Sequence, residues 1–76
     1  MSSNKKTIHT SEYQALIQKL ISARKNSGFT QKDVADILGY SQSYISKIEN
    51  AQIRIDPIQL KDFSEIYRID LTKIFS

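Results

Sequence analysis

Four times along the chain an apolar residue stands directly before a helix-capping residue, and a second apolar residue follows five positions after the first. The triples are Phe29/Thr30/Val34, Tyr40/Ser41/Ile45, Ile55/Asp56/Leu60 and Ile69/Asp70/Ile74. In this arrangement the cap side chain accepts from an otherwise unpaired backbone N–H of the first turn. The two apolar side chains pack across it and set the angle at which the chain enters the helix. Such closely spaced starts leave room only for short helices, and no segment has the period-two alternation of a half-buried strand. The chain is expected to be all-α.

A further start lies upstream. Ser11 and Gln14 have the spacing of a capping box, and Tyr13, Leu16, Ile17, Leu20, Ile21 and Arg24 follow at i, i+3, i+4, i+7, i+8, i+11 along one helix face. Gly28 offers a stop, because glycine enters the left-handed backbone region easily. Pro57 falls at a first helical position, where its missing N–H costs nothing. Five helices are expected, over about residues 12–26, 31–38, 42–49, 57–67 and 71–75. Residues 1–10 read as a flexible basic arm and residues 11–76 as one compact domain.

Composition narrows the function. A 76-residue chain buries only about 60% of the surface it exposes unfolded, so its stability is expected to be modest or to come partly from a partner subunit. It has no cysteine, and its one histidine, His9, lies in a polar segment; no disulfide, metal site, cofactor or small-molecule ligand is expected. No apolar run approaches the roughly 20 residues that span a bilayer, and "MSSNKKTIHT" lacks the apolar segment of a signal peptide. A cytoplasmic protein without membrane attachment is expected. The formal charge of +3 is concentrated early: residues 1–29 carry five Lys/Arg against one acid. Lys5, Lys6, Lys19, Arg24 and Lys25 suit part of an anionic partner's footprint, or simply a soluble surface with a basic arm. No nucleophile–base pair or phosphate-binding glycine loop suggests an enzyme.

The stretch "FTQKDVADILGYSQSYISKIEN" holds two short apolar-patterned helices separated by Gly39. Small Ala35 permits close helix approach and Gly39 a tight turn, which makes residues 31–49 a helix-turn-helix in preference to an ordinary structural hairpin. Its outer stripe, Gln42, Ser43, Ser46, Lys47 and Asn50, is nearly uncharged. Neutral amides and hydroxyls match the mixed donors and acceptors of major-groove base edges, and short serines let the backbone come close. Arg24 and Glu49 fall on stripes that should be apolar. An unpaired buried ion is costly, so they are expected to pair across the core, the alternative being that each snorkels separately to water.

"TQKDVADILGYSQSYISKIEN" followed by "AQIRIDPIQL" resembles the lambda-repressor-like, Xre-type helix-turn-helix family of DNA-binding proteins, over about residues 12–76. The resemblance implies a compact five-helix fold and a buried ion pair matching Arg24 and Glu49. It also implies base reading by Gln42, Ser43, Ser46 and Lys47, with Gln31 bracing Gln42. Phosphate contacts are expected from the flanks: Thr30, Gln31 and Lys32 at a helix N-terminus, and Tyr44, Asn50, Gln52 and Arg54 at the other edge. Tyr44 is equally suited to packing with its hydroxyl outward. The sequence departs from the family at Ala51, where glycine is common; Ala51 must become left-handed or the loop must start differently.

Ile69, Leu71, Ile74 and Phe75 crowd a very short terminal element. They are expected to form a self-complementary dimer patch, as in dimers of this family, or else to close the monomer core. The function expected is a transcriptional regulator that binds double-stranded DNA as a homodimer on a two-fold symmetric operator. With no room in the chain for an effector domain, its own concentration would be the control variable. Small controller proteins and phage-type repressors both resemble this plan. The alternative is an antitoxin-like module that masks a partner protein.

Overall fold

The computed structural model describes residues 10–74. They form five helices: α1 Ser11–Asn26, α2 Gln31–Leu38, α3 Gln42–Glu49, α4 Pro57–Tyr67 and α5 Leu71–Ile74. There is no strand among the described residues. Lys5, Lys6, His9, the side chain of Ile74 and all of Phe75 lie outside what the structure describes.

The starts follow the caps. Thr30, Ser41 and Asp56 accept from the backbone N–H three residues on, at 3.1, 3.1 and 2.7 Å. Two caps are reciprocal: the Thr30 N–H donates to Asp33 Oδ2 at 2.9 Å and the Asp56 N–H to Gln59 Oε1 at 3.0 Å. Asp70 Oδ1 accepts from both the N–H and the hydroxyl of Thr72, at 2.9 and 2.8 Å. The backbone and then the hydroxyl of Thr30 hold the Asp33 carboxyl below its ordinary 3.8, and Thr72, hydroxyl first, does the same for Asp70.

The first helix starts one residue earlier than its capping box suggests. Thr10, not Ser11, is the cap, accepting from the Tyr13 N–H at 3.1 Å. Two adjacent hydroxyl residues compete for one role. Capping at Thr10 adds a helical residue and a backbone bond, from the Gln14 N–H to the Thr10 carbonyl at 3.0 Å.

Helices α1 to α4 end alike. A left-handed residue follows each, and the next N–H reaches back to a carbonyl of the last turn: Phe29 to Arg24, Tyr40 to Ala35, Gln52 to Lys47 and Ile69 to Ser64, at 3.1, 2.9, 2.8 and 3.0 Å. Gly28 and Gly39 supply two of these positions at φ 81° and 79°, but Ala51 and Arg68 supply the others at 57° and 55°. Ala51 thus accepts the left-handed conformation, with its methyl buried in the core.

Ile17 of α1, Val34 of α2 and Ile45 and Ile48 of α3 are fully buried. The second and third helices pack on one another, with α1 against both α3 and α4. From α4, Phe63 and Tyr67 stack at 5.9 Å between centroids. The Tyr13 hydroxyl accepts from the Ile55 N–H at 3.0 Å and so ties the segment between α3 and α4 to α1. Ile69 and Leu71 lie half-buried against the same core.

Candidate nucleic-acid interface

The orientation of α3 is set from both ends. At its C-terminal end the Glu49 carboxylate receives three hydrogen bonds: Arg24 Nε at 2.7 Å on Oε2, and Arg24 Nη2 at 3.1 Å and Gln31 Nε2 at 3.0 Å on Oε1. The remaining Arg24 nitrogen, Nη1, donates to the Phe29 carbonyl at 2.9 Å. The two charged side chains are 10% and 8% exposed, so this is a buried fork in which one carboxylate joins α1, the first residue of α2 and α3, while its arginine partner also holds the turn before α2. Burial first, then the Glu49 charge, push the Tyr67 phenol beside it far above its ordinary value, and it stays neutral.

At its N-terminal end α3 is held by Gln59. Because the Gln59 oxygen is taken by the Asp56 N–H, its Nε2 faces α3 and donates to Tyr44 Oη at 2.6 Å and Tyr40 Oη at 3.4 Å. The two rings lie 4.9 Å apart. Neither Gln59 nor Tyr40 was apparent as part of the site from the sequence, although Asp56 and Gln59 have capping-box spacing that could have drawn attention to the amide.

With Ile45 and Ile48 turned inward, Gln42, Ser43 and Lys47 are exposed, and so is Asn50 just beyond the helix. Ser46 is half-buried, its Oγ accepting from Asn50 Nδ2 at 3.3 Å. The stripe therefore emerges on one side of α3, with Lys47 as its one charge. Gln52 and Arg54 are exposed on the segment that follows.

Three expectations change. The amide of Gln31 is turned to Glu49 and not to Gln42, because a buried carboxylate offers a stronger, charge-assisted acceptor than an exposed amide. The N-terminus of α2 is also less open to an anion than anticipated. Asp33 already occupies the Thr30 N–H, and Lys32 Nζ pairs with Asp36 at 3.1 Å. Tyr44 does not point its oxygen simply outward; Gln59 engages it from within the domain.

A helix-turn-helix family model matches residues 20–74. Among solved structures, the XRE-family like protein from Pseudomonas syringae pv. tomato str. DC3000 is 44% identical, covers 96% of this chain and 89% of its own, and superposes with a TM-score of 0.80. No curated protein matches the chain.

Proposed function

Since the chain belongs to the Xre-type, lambda-repressor-like helix-turn-helix family of DNA-binding regulators, we propose that it regulates transcription as a homodimer on a two-fold symmetric operator, with α3 in the major groove. The observation that carries this reading is the division of α3. One face is fully buried through Ile45 and Ile48 and anchored through Glu49, while the other presents Gln42, Ser43 and Lys47 to solvent. A helix held this firmly can offer short polar side chains to base edges without ordering them anew on binding. Gln42, Ser43, Ser46 and Lys47 read bases. Lys32, Asn50, Gln52 and Arg54, with the backbone N–H groups of Gln31 and Lys32, meet phosphates on either side, Thr30 now serving mainly as a cap. Half-sites about 34 Å apart follow from placing two such helices on one face of the duplex.

Masking a partner protein instead would call for a broad apolar surface. Among the described residues the exposed large apolar side chains are Ile37 on α2 and Ile58 on α4, and scattered residues of this kind are ordinary.

Binding to a duplex selected from a random pool, and to a scrambled duplex, at several salt concentrations tests the assignment. Gln42→Ala should reduce discrimination at one symmetric pair of base positions by roughly 1–3 kcal/mol. Arg54→Ala should weaken both duplexes alike and make the slope of log affinity against log salt shallower by about one. If Arg54→Ala alters base preference and Gln42→Ala does not, α3 is not the reader.

A further inference from the structure

The Gln59 amide has a definite sense. A backbone N–H can only donate, so the Asp56 N–H at 3.0 Å fixes oxygen on the cap side and nitrogen on the side of the two tyrosines. Gln59 is itself buried. Its Nε2 has two hydrogens and two phenol oxygens before it, Tyr44 Oη at 2.6 Å and Tyr40 Oη at 3.4 Å. Each phenol oxygen thereby acts as an acceptor toward the protein, and its own hydrogen must point away from Gln59. No hydrogen bond within the described residues uses either phenol hydrogen. Both tyrosines are half-exposed. Tyr44 lies on α3 one turn before Lys47, at i, i+3, and Tyr40, in the turn before the Ser41 cap, has its ring 4.9 Å from that of Tyr44, so the pair borders the reading stripe.

We propose that Gln59 orients Tyr40 and Tyr44 as two neutral O–H donors for the DNA phosphate backbone flanking the bases read by α3. This rests on the DNA-binding reading above and adds to it a pair of phosphate-binding tyrosines, of which Tyr40 is not among the residues expected from the sequence, and a positioning residue, Gln59. Phosphate oxygens only accept, so a phenol whose hydrogen is already directed outward is preorganised for them, while one whose hydrogen is used internally is not. Because the donors are neutral, they add affinity without releasing counterions. That separates them from Lys32 and Arg54.

The test compares Tyr40→Phe and Tyr44→Phe in the unsubstituted protein and in a Gln59→Glu background, with the selected and scrambled duplexes as probes. In the unsubstituted protein each change should weaken both duplexes by roughly two- to tenfold, the worth of one net hydrogen bond, with the salt slope unchanged. Gln59→Glu keeps an acceptor for the Asp56 N–H but turns the remaining oxygen on the phenols, drawing their hydrogens inward. In that background the two Phe substitutions should cost no further affinity. Comparison within one background cancels the effect of the added charge, and urea midpoints check that each variant is folded. Loss of equal size in both backgrounds, or no loss in either, overturns the inference while leaving the DNA-binding reading standing. Failure of the unsubstituted protein to bind any duplex overturns both.

Discussion

A single carboxylate, Glu49, connects three helices through Arg24 and Gln31, and substitutions there should be far from additive. Arg24→Met leaves the Glu49 charge buried with one amide donor, and Glu49→Gln leaves the Arg24 guanidinium without its counter-ion. Each should cost about 3–5 kcal/mol, while the double substitution should cost clearly less than the sum. Additive urea midpoints in the double-mutant cycle would show that the ions do not depend on one another. The left-handed residues allow the opposite kind of change. Arg68 is exposed at φ 55°, so Arg68→Gly should stabilise by about 0.5–1 kcal/mol through relief of its Cβ contact, net of glycine's greater freedom when unfolded. Ala51→Gly should gain less, since the methyl it removes is buried at 7% exposure. Denaturation midpoints of the two variants give the order directly.

Among the elements, α2 shows how a cap couples helix stability to pH. The Asp33 carboxyl is held below 3.8 in the folded protein by the Thr30 N–H and hydroxyl. A depressed folded value means that its contribution is present above the unfolded value of about 3.8 and is lost as pH falls through the folded value. Asp33→Asn should therefore lower the melting temperature at neutral pH, and the gap between variant and parent should narrow once the pH drops below that point. A gap constant down to strongly acid pH would mean that the charge of Asp33 does not contribute. The segment between α3 and α4 is organised differently, by Tyr13 and Gln59 reaching it from α1 and from the start of α4. Neither contact follows from the local sequence of that segment.

For the whole molecule, assembly is tested at the terminal apolar residues. Ile69 and Leu71 pack half-buried on the monomer core, so Ile69→Asp should reduce thermal stability through desolvation of the new charge. Phe75, which the sequence reading assigns to a dimer patch, is expected to behave otherwise. Phe75→Asp should raise the concentration at which sedimentation velocity detects dimer and leave helical circular dichroism unchanged. A protein that sediments as a monomer at every concentration before any substitution would assign the whole terminal element to the core.

What the sequence determined by itself is local. Thr30, Ser41 and Asp56 start helices because a short oxygen-bearing side chain reaches the third N–H of the helix that follows it, which depends on neighbours alone. The core stripe of α1 and the solvent stripe of α3 follow from helical periodicity, and the charges on core stripes at Arg24 and Glu49 required a partner wherever the fold provided one. The tertiary structure decided which partners met. Gln31 had two acceptors within plausible reach, and only the folded position of the buried Glu49 selects between them. Ala51 and Arg68 carry no glycine to announce a left-handed turn; they adopt it because burial on either side of the turn outweighs a cost of about 1–2 kcal/mol. Gln59, within α4, meets Tyr40 and Tyr44 across 19 and 15 residues of chain, a contact that no periodicity encodes because it exists only once α3 and α4 have both packed on α1.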